Sequence, residues 1–399
     1  MKKVIVAAAG LMLVGTMATT AMAEFKFSGD ARARFYYQDN YDEFREGKIS
    51  DSDTRWNSRV RVKVEATTKG GAYMKSRIKY SDGTFGEGEK EGQFAADYAY
   101  IGVPFGPVTV EAGRMVRDIT PFLFFDGRAE GVQVKYTNDN TGLVVFYDIV
   151  DENLATGTEI TVTDIGVDDD GNDVIGLDAD TVYNTTNDDD ITRLGFLLNQ
   201  SFSGGWAMNL GGYYVIDDVN EDSDGLAATA KVTGAFGDIA VEAELAYQDE
   251  EINGIDDGFG IYAGATIPVG PASVYAMAGA TFDGYQWDAA DFGPFAIFND
   301  YSQIATGPNL SAEGETLFLV VNPTFKASEK LTLGAVASII DIDAYDPEAS
   351  DATVWEIGAT ASYAVTDGAK LNGIIAYGDT DDLTEDDPFG VGLSLEISF

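Results

Sequence analysis

Apolar and polar residues alternate with a period of two along most of this chain. The final eleven residues show it without a fault. Phe389, Val391, Leu393, Leu395, Ile397 and Phe399 fall on one parity; Gly390, Gly392, Ser394, Glu396 and Ser398 fall on the other. Successive side chains of a strand point to opposite faces, so this segment has one wholly apolar face and one small, polar face. The same test finds eighteen spans, roughly 25–38, 54–67, 70–82, 92–103, 107–115, 128–138, 141–150, 191–202, 205–216, 225–236, 239–250, 257–268, 271–283, 314–327, 330–342, 353–365, 369–379 and 389–399. Most are close to the ~9–11 residues that cross a bilayer at a tilt.

The connections carry as much information as the strands. Tight turns (Lys69-Gly70, Pro104-Phe105-Gly106, Ser203-Gly204, Gly237-Asp238, Val269-Gly270, Ser328-Glu329, Thr366-Asp367-Gly368) alternate with longer polar loops. A barrel with both termini on the periplasmic side requires that rhythm, whereas a β-sandwich has no reason to keep it. The predicted fold is all-β: one antiparallel up-and-down transmembrane β-barrel over residues 24–399, with about 18 strands and 16 as the alternative count.

At the N-terminus, Met1, Lys2 and Lys3 precede a largely apolar run from Val4 to Val14 and then Ala21-Met22-Ala23. A positive start, an apolar stretch and a small-residue cleavage site predict a signal peptide over residues 1–23. No later run approaches ~20 consecutive apolar residues, so no transmembrane helix is expected.

Composition then removes whole classes of chemistry. Cysteine and histidine are both absent. Thiolate metal sites, disulfides and imidazole-based nucleophile arrangements therefore cannot be built, and an enzyme would be left with carboxylate, Ser or Lys chemistry. No enzyme and no cofactor are expected. A formal charge of −42 argues against nucleic acid as a partner. Asn220, Asp222, Asp224 and Gly225 sit in part like a calcium loop, but Lys231 stands where the bidentate Glu belongs, so no dedicated metal site is expected.

Particular motifs add a family. The segment Tyr100-Ile-Gly-Val-Pro-Phe-Gly-Pro-Val-Thr-Val-Glu-Ala-Gly-Arg114 resembles the strand-turn-strand pattern of the Gram-negative porin family, and Arg128-Ala-Glu-Gly-Val-Gln-Val-Lys-Tyr136 resembles the strand that leaves that family's third external loop. The terminal Phe399 is similar to the residue that the barrel assembly machinery reads in such proteins. The resemblance implies a water-filled channel in the cell outer membrane for passive diffusion of small hydrophilic solutes and ions. It also implies lipid and lipopolysaccharide as surroundings, and a homotrimer. One departure stands out. The family's third loop is long and carries an acidic constriction motif, whereas residues 116–127 are short and hold apolar Phe122, Leu123, Phe124 and Phe125.

The basic residues are placed unevenly: of 25 Lys and Arg, 20 lie at or before Lys135. Arg32 and Arg34 oppose Ala31, Ala33 and Phe35; Arg59, Arg61 and Lys63 oppose Val60, Val62 and Val64; Lys75, Arg77 and Lys79 oppose Met74, Ile78 and Tyr80. A charge on the lipid face costs ~2–4 kcal/mol near the midplane, so the basic parity is expected to face the lumen. With Arg114 these residues form a predicted basic wall. The eleventh strand of an eighteen-strand ring lies opposite, and Glu242 and Glu244 there form a predicted acidic wall. Such a ring is about 35 Å across, too wide to filter alone. Residues 284–313, with Tyr285, Trp287, Phe292, Phe295, Phe298 and Tyr301, are the first candidate for narrowing it, with packing over the mouth or at a subunit contact as the equal alternative. Residues 151–190 hold 13 acids and no base and read as an acidic external loop. The alternatives are a channel selective for anions or sugars, and a structural barrel sheathing a partner protein.

Overall fold

The computed structural model describes residues 22–40, 52–84, 95–151, 156–167, 173–183, 191–217, 224–287, 292–297, 310–345, 351–380 and 386–399. Seven strands come first: β1 (Met22–Asp39), β2 (Asp53–Thr68), β3 (Tyr73–Thr84), β4 (Ala95–Phe105), β5 (Val108–Arg117), β6 (Gly127–Thr137) and β7 (Thr141–Asp151). A hairpin of β8 (Thr156–Val167) and β9 (Asp173–Tyr183) follows. Next come β10 (Ile191–Ser201), β11 (Ala207–Asp217), β12 (Gly225–Phe236), β13 (Ile239–Gln248), β14 (Gly258–Val269) and β15 (Ala272–Phe282). The last five are β16 (Gly314–Lys326), β17 (Leu331–Ala344), β18 (Ala352–Thr366), β19 (Ala369–Asp379) and β20 (Phe389–Ser398).

Eighteen of these strands form one antiparallel sheet in chain order. β7 pairs with β10 across the intervening hairpin, and β1 pairs with both β2 and β20, so the sheet closes on itself. Every expected span corresponds to one strand, and the count is eighteen rather than sixteen. The unexpected element is β8–β9. These strands pair only with each other, as a separate two-stranded sheet inside the stretch read as an acidic loop. Thr161-Val162 and Asp173-Val174-Ile175 supply β-branched residues there, a local preference that the acidic composition masked. The expected leader lies mostly outside the described residues.

The seam shows why the ends of the barrel need their particular residues. β1 and β20 run in register from Asp30 opposite Ser398 to Asp39 opposite Phe389. One further pair extends it: Phe399 N–H donates to the Gly29 carbonyl at 3.0 Å, and Gly29 N–H donates to the Phe399 carbonyl at 2.8 Å. A Cβ at position 29 would lie 2.5 Å from the Arg61 carbonyl oxygen and 2.7 Å from the Phe399 ring. Glycine is required by that close approach.

Short turns gather at the end of the barrel that holds this seam. Gly106, Gly237 and Gly270 adopt φ of 65°, 63° and 60°, which the two-residue hairpin turns demand. The outward face alternates as the sequence proposes. Leu317 and Leu319 are exposed while Phe318 and Val320 are buried, and Trp355 and Ile357 are exposed while Val354 and Glu356 are buried. Among the described residues no helix is long and apolar enough to cross a membrane.

Gly29→Val is expected to destabilise the closed barrel by about 1–3 kcal/mol, through overpacking against Arg61 and Phe399. The folded, heat-modifiable fraction on unboiled gels should fall, and wild-type thermal resistance of the variant would show that the seam tolerates a side chain.

Candidate functional site

The three N-terminal strands bring the predicted basic residues side by side on the inward face. In register, Arg32 stands opposite Arg59, Arg61 opposite Lys79, Lys63 opposite Arg77, and Arg34 opposite Asn57. Acids are interleaved with them. Arg61 donates to Asp30 at 2.9 Å, with Arg59 at 3.9 Å from the same carboxylate, and Lys75 lies 3.8 Å from Glu65. Asp97 sits at a bulge in β4 and accepts from Arg77 and, at 2.7 Å, from Arg128. The wall is therefore a basic surface with built-in counterions, not eight mutually repelling cations.

Arg114 does not join it. Its register partners are Ala99 on β4 and Glu130 on β6, and Glu130 shares a face with the exposed Val132 and Val134. Arg114 lies on the outward parity, 3.6 Å from Glu130. The reason is plain in the strand: Val110 and Ala112 occupy the same parity as Arg114, while Glu111 and Gly113 occupy the inward one.

The predicted acidic wall also differs from expectation. Glu242 and Glu244 both face inward, but neither is an open carboxylate. Glu242 pairs with Lys231 at 2.6 Å and accepts from the Tyr275 hydroxyl at 2.7 Å. Glu244 is buried and accepts from Thr229 at 2.6 Å, from Tyr262 at 3.0 Å and from the hydroxyl of Thr120. Lys231, register-paired with Glu244, neutralises the pole that the sequence reading assigned to this side.

Thr120 belongs to the loop between β5 and β6, which folds into the lumen despite its shortness. It is a tight turn: Ile119 N–H donates to the Phe124 carbonyl at 2.9 Å, and Phe124 N–H donates to the Thr120 carbonyl at 2.9 Å. Ile119, Phe122 and Leu123 are buried against strands β10–β14. Phe122 stands edge-on to Tyr262 at 5.0 Å and packs against Tyr285 and Phe292 at 4.9 and 4.5 Å.

Tyr285 and Phe292 come from the aromatic segment between β15 and β16. It also folds inward, so that Tyr285, Trp287, Phe292, Phe295, Ile297 and Leu310 pack on the inward Met277, Phe318, Val336 and Ile340. Phe298 and Tyr301 lie outside the described residues. Hydrogen bonds fasten this segment to the rest of the barrel. The Tyr285 hydroxyl donates to the Phe122 carbonyl at 2.5 Å, which ties the two inward loops together. The buried Glu356 of β18 accepts from the Ala296 and Ile297 amides at 2.8 and 2.6 Å. A carboxylate with two amide donors is well satisfied, which is what lets it sit in an apolar setting.

The lumen is thus filled from one side. Aromatic packing covers the inner face from about β11 to β18, and β1–β3 keep a polar groove. One recess of that groove measures about 380 Å³ and is lined by Asp30, Arg32, Arg59, Arg61, Lys63 and Glu396. Sequence reasoning missed Asp148, Arg117, Arg193 and Glu356. The signal available for Asp148, Arg193 and Glu356 was a lone charge on the inward parity of a strand without other charges on that face; Arg117 shares its parity with Glu111 and carried no such signal.

Comparison with known proteins decides what such a barrel is. The family model described as Gram-negative porin matches residues 7–383. The chain belongs to that family. The porin's fold is shared by a BenF-like porin of Pseudomonas fluorescens, at a TM-score of 0.64 and 10% identity, covering 94% of this chain and 98% of the other. It is shared equally by Pseudomonas aeruginosa OccK2, solved in complex with glucuronate, at 0.61 and 11%, covering 95% and 99%. Acinetobacter baumannii OccAB3 matches at 0.60 and 11%, covering 94% and 99%. No curated protein sequence matches. The porin is an outer-membrane channel for diffusion of small solutes, and family and fold point to a channel rather than an enzyme.

Glu356→Ala leaves the Ala296 and Ile297 amides buried without an acceptor, at about 1–3 kcal/mol each. The aromatic segment should loosen, and single-channel conductance in planar bilayers should rise or become noisier. Unchanged, quiet conductance would mean that the apolar packing alone holds the segment.

Proposed function

We propose that this porin passes small hydrophilic solutes along the open, basic side of its lumen and favours anions among them. The observation that carries this reading is the one-sided filling. The aromatic loops occupy the side of Glu242 and Glu244, so a permeating solute travels beside Arg32, Arg34, Arg59, Arg61, Lys63, Lys75, Arg77 and Lys79. Their interleaved acids, Asp30, Glu65 and Asp97, leave an excess of positive charge on the wall. Charges at a narrow, partly desolvated section act in a lower effective dielectric than charges on open loops, so the wall rather than the acidic exterior sets ion preference there.

A narrower specificity for anionic sugars is favoured by one observation, the glucuronate complex of OccK2, which has the same fold. Saturable conductance that glucuronate blocks would support it over unselective diffusion. Cleavage after Ala23 follows from the N-terminal pattern, and the remaining assignments follow the family resemblance: recognition of Phe399 by the barrel assembly machinery, lipopolysaccharide around the outer rim, and assembly as a homotrimer.

Arg59→Glu combined with Arg61→Glu should move the reversal potential in a salt gradient strongly towards cations. Removal of residues 151–190 should move it modestly and mainly at low salt, because the Debye length is ~8 Å at physiological ionic strength. If the loop removal has the larger effect at that salt, the basic wall is not the filter.

A further inference from the structure

A buried charge cluster on β5, β6, β7 and β10 has no part in the basic groove. Asp148 of β7 is fully buried. It accepts from the Arg117 guanidinium at 2.9 and 2.8 Å through Nε and at 2.5 Å through a terminal nitrogen, and from Arg193 at 3.3 Å. Arg117 also donates to Gln133 at 2.6 Å and lies over the Phe146 ring at 4.7 Å. Both Arg117 and Asp148 would remain paired without Arg193, so neutralising Asp148 does not explain the second arginine.

What Arg193 does touch is aromatic. Its guanidinium lies 4.7 Å from the Phe124 ring and 5.2 Å from the Tyr213 ring, and those two rings are 5.7 Å apart, edge to face. Among the described residues its Nε has no hydrogen-bond partner. Asp148 thus aims a flat cation at the base of the inward loop between β5 and β6, and Phe124 is the loop residue it grips. Gly127 completes the seat, since a Cβ there would lie 2.2 Å from the Phe124 ring. At the other end of the loop, Thr120 is fastened to Glu244. The loop is held at both ends, with Phe122 and Leu123 between.

We propose that Arg193 is a positioning residue that sets the width of the pore: stacked on Phe124 and aimed by Asp148, it keeps the β5–β6 loop folded across the lumen. The proposal rests on the proposed function, in which the inward loops fill one side of the lumen: Phe122 of this loop packs there on Tyr262, Tyr285 and Phe292 and narrows what is left for the solute. It makes Arg193 a determinant of permeation although it lies away from the basic wall and does not meet the solute.

The test uses the full-length porin, folded into bilayers, with heat-modifiability as the check on the barrel. Arg193→Ala leaves the Arg117–Asp148 pair intact and should fold. It should raise single-channel conductance. Arg193→Lys should behave like Arg193→Ala, because an ammonium keeps the charge but has no planar face to stack. Phe124→Ala removes the same stack from the loop side, leaves every charge in place and should give the same rise, with the double variant no larger than either single one. The chain has no cysteine, so Leu123→Cys reports on the loop without background. In the otherwise wild-type protein, where Leu123 is buried, that thiol should resist a membrane-impermeant reagent, and Arg193→Ala should open it to labelling. Wild-type conductance in folded Arg193→Ala and Phe124→Ala, or a Leu123→Cys thiol that stays unlabelled with Arg193→Ala, would overturn the proposal. A rise in conductance with Arg193→Ala but not with Arg193→Lys would overturn it too, by assigning the effect to charge. None of these outcomes depends on ion preference, so a failure of the basic wall as filter would be seen separately, in the reversal potential.

Discussion

A strand in hydrocarbon has no water with which to satisfy its backbone, so the sheet must close and leave no edge. Everything else in this porin follows from that closure. The pairing of Gly29 with Phe399 is its last link, and the requirement for glycine at position 29 shows how tightly the two ends meet. Closure over eighteen strands also fixes the width of the ring, because width grows with strand number. The molecule therefore inherits an interior too wide to discriminate between solutes, and must fill it.

The filling is asymmetric, and buried carboxylates make it so. Glu244, Glu356 and Asp148 each stand on the inward face of a different strand, and each is bound by several donors: three hydroxyls, two backbone amides and two guanidiniums respectively. A buried carboxylate without such partners would be costly, so these positions are fasteners whose partners lie partly on other elements. Two of them receive groups from the inward loops, and the third orients the arginine that stacks on Phe124. Apolar packing supplies the bulk of the plug, and the carboxylates decide where it sits.

Strands and turns were legible in the sequence because both depend on local rules: a period of two, and glycine where φ is positive. The inward loops were half legible. The aromatic content of residues 284–313 pointed to a packed segment, yet its anchor on Glu356 lies about sixty residues further along the chain. The charge of Glu356 stands out on its own strand, but which distant segment it holds is written in neither stretch. Glu242 and Glu244 do face inward, but the cation that neutralises Glu242, Lys231, comes from another strand, and a hydroxyl that caps Glu244, that of Thr120, comes from a loop. Arg114 is a different kind of error. The parity of Val110 and Ala112 already placed it outward.

The acids within the basic wall bear on how a channel can prefer anions and still conduct them. Conduction needs binding strong enough to draw a solute in and weak enough to let it leave. An array of bare guanidiniums and ammoniums would hold a carboxylate at several points and release it slowly. Here Asp30 engages Arg61 and lies near Arg59, Asp97 engages Arg77 and Arg128, and Glu65 stands beside Lys75. On the proposed route, a passing anion would compete with carboxylates already in place, so its gain at each step would be the difference between two similar interactions. The same acids hold the long basic side chains against the wall, which spares the solute part of the cost of ordering them. Weak, pre-ordered sites repeated on three neighbouring strands suit transit better than one strong site would, and the register of β1, β2 and β3 spaces them along a single groove.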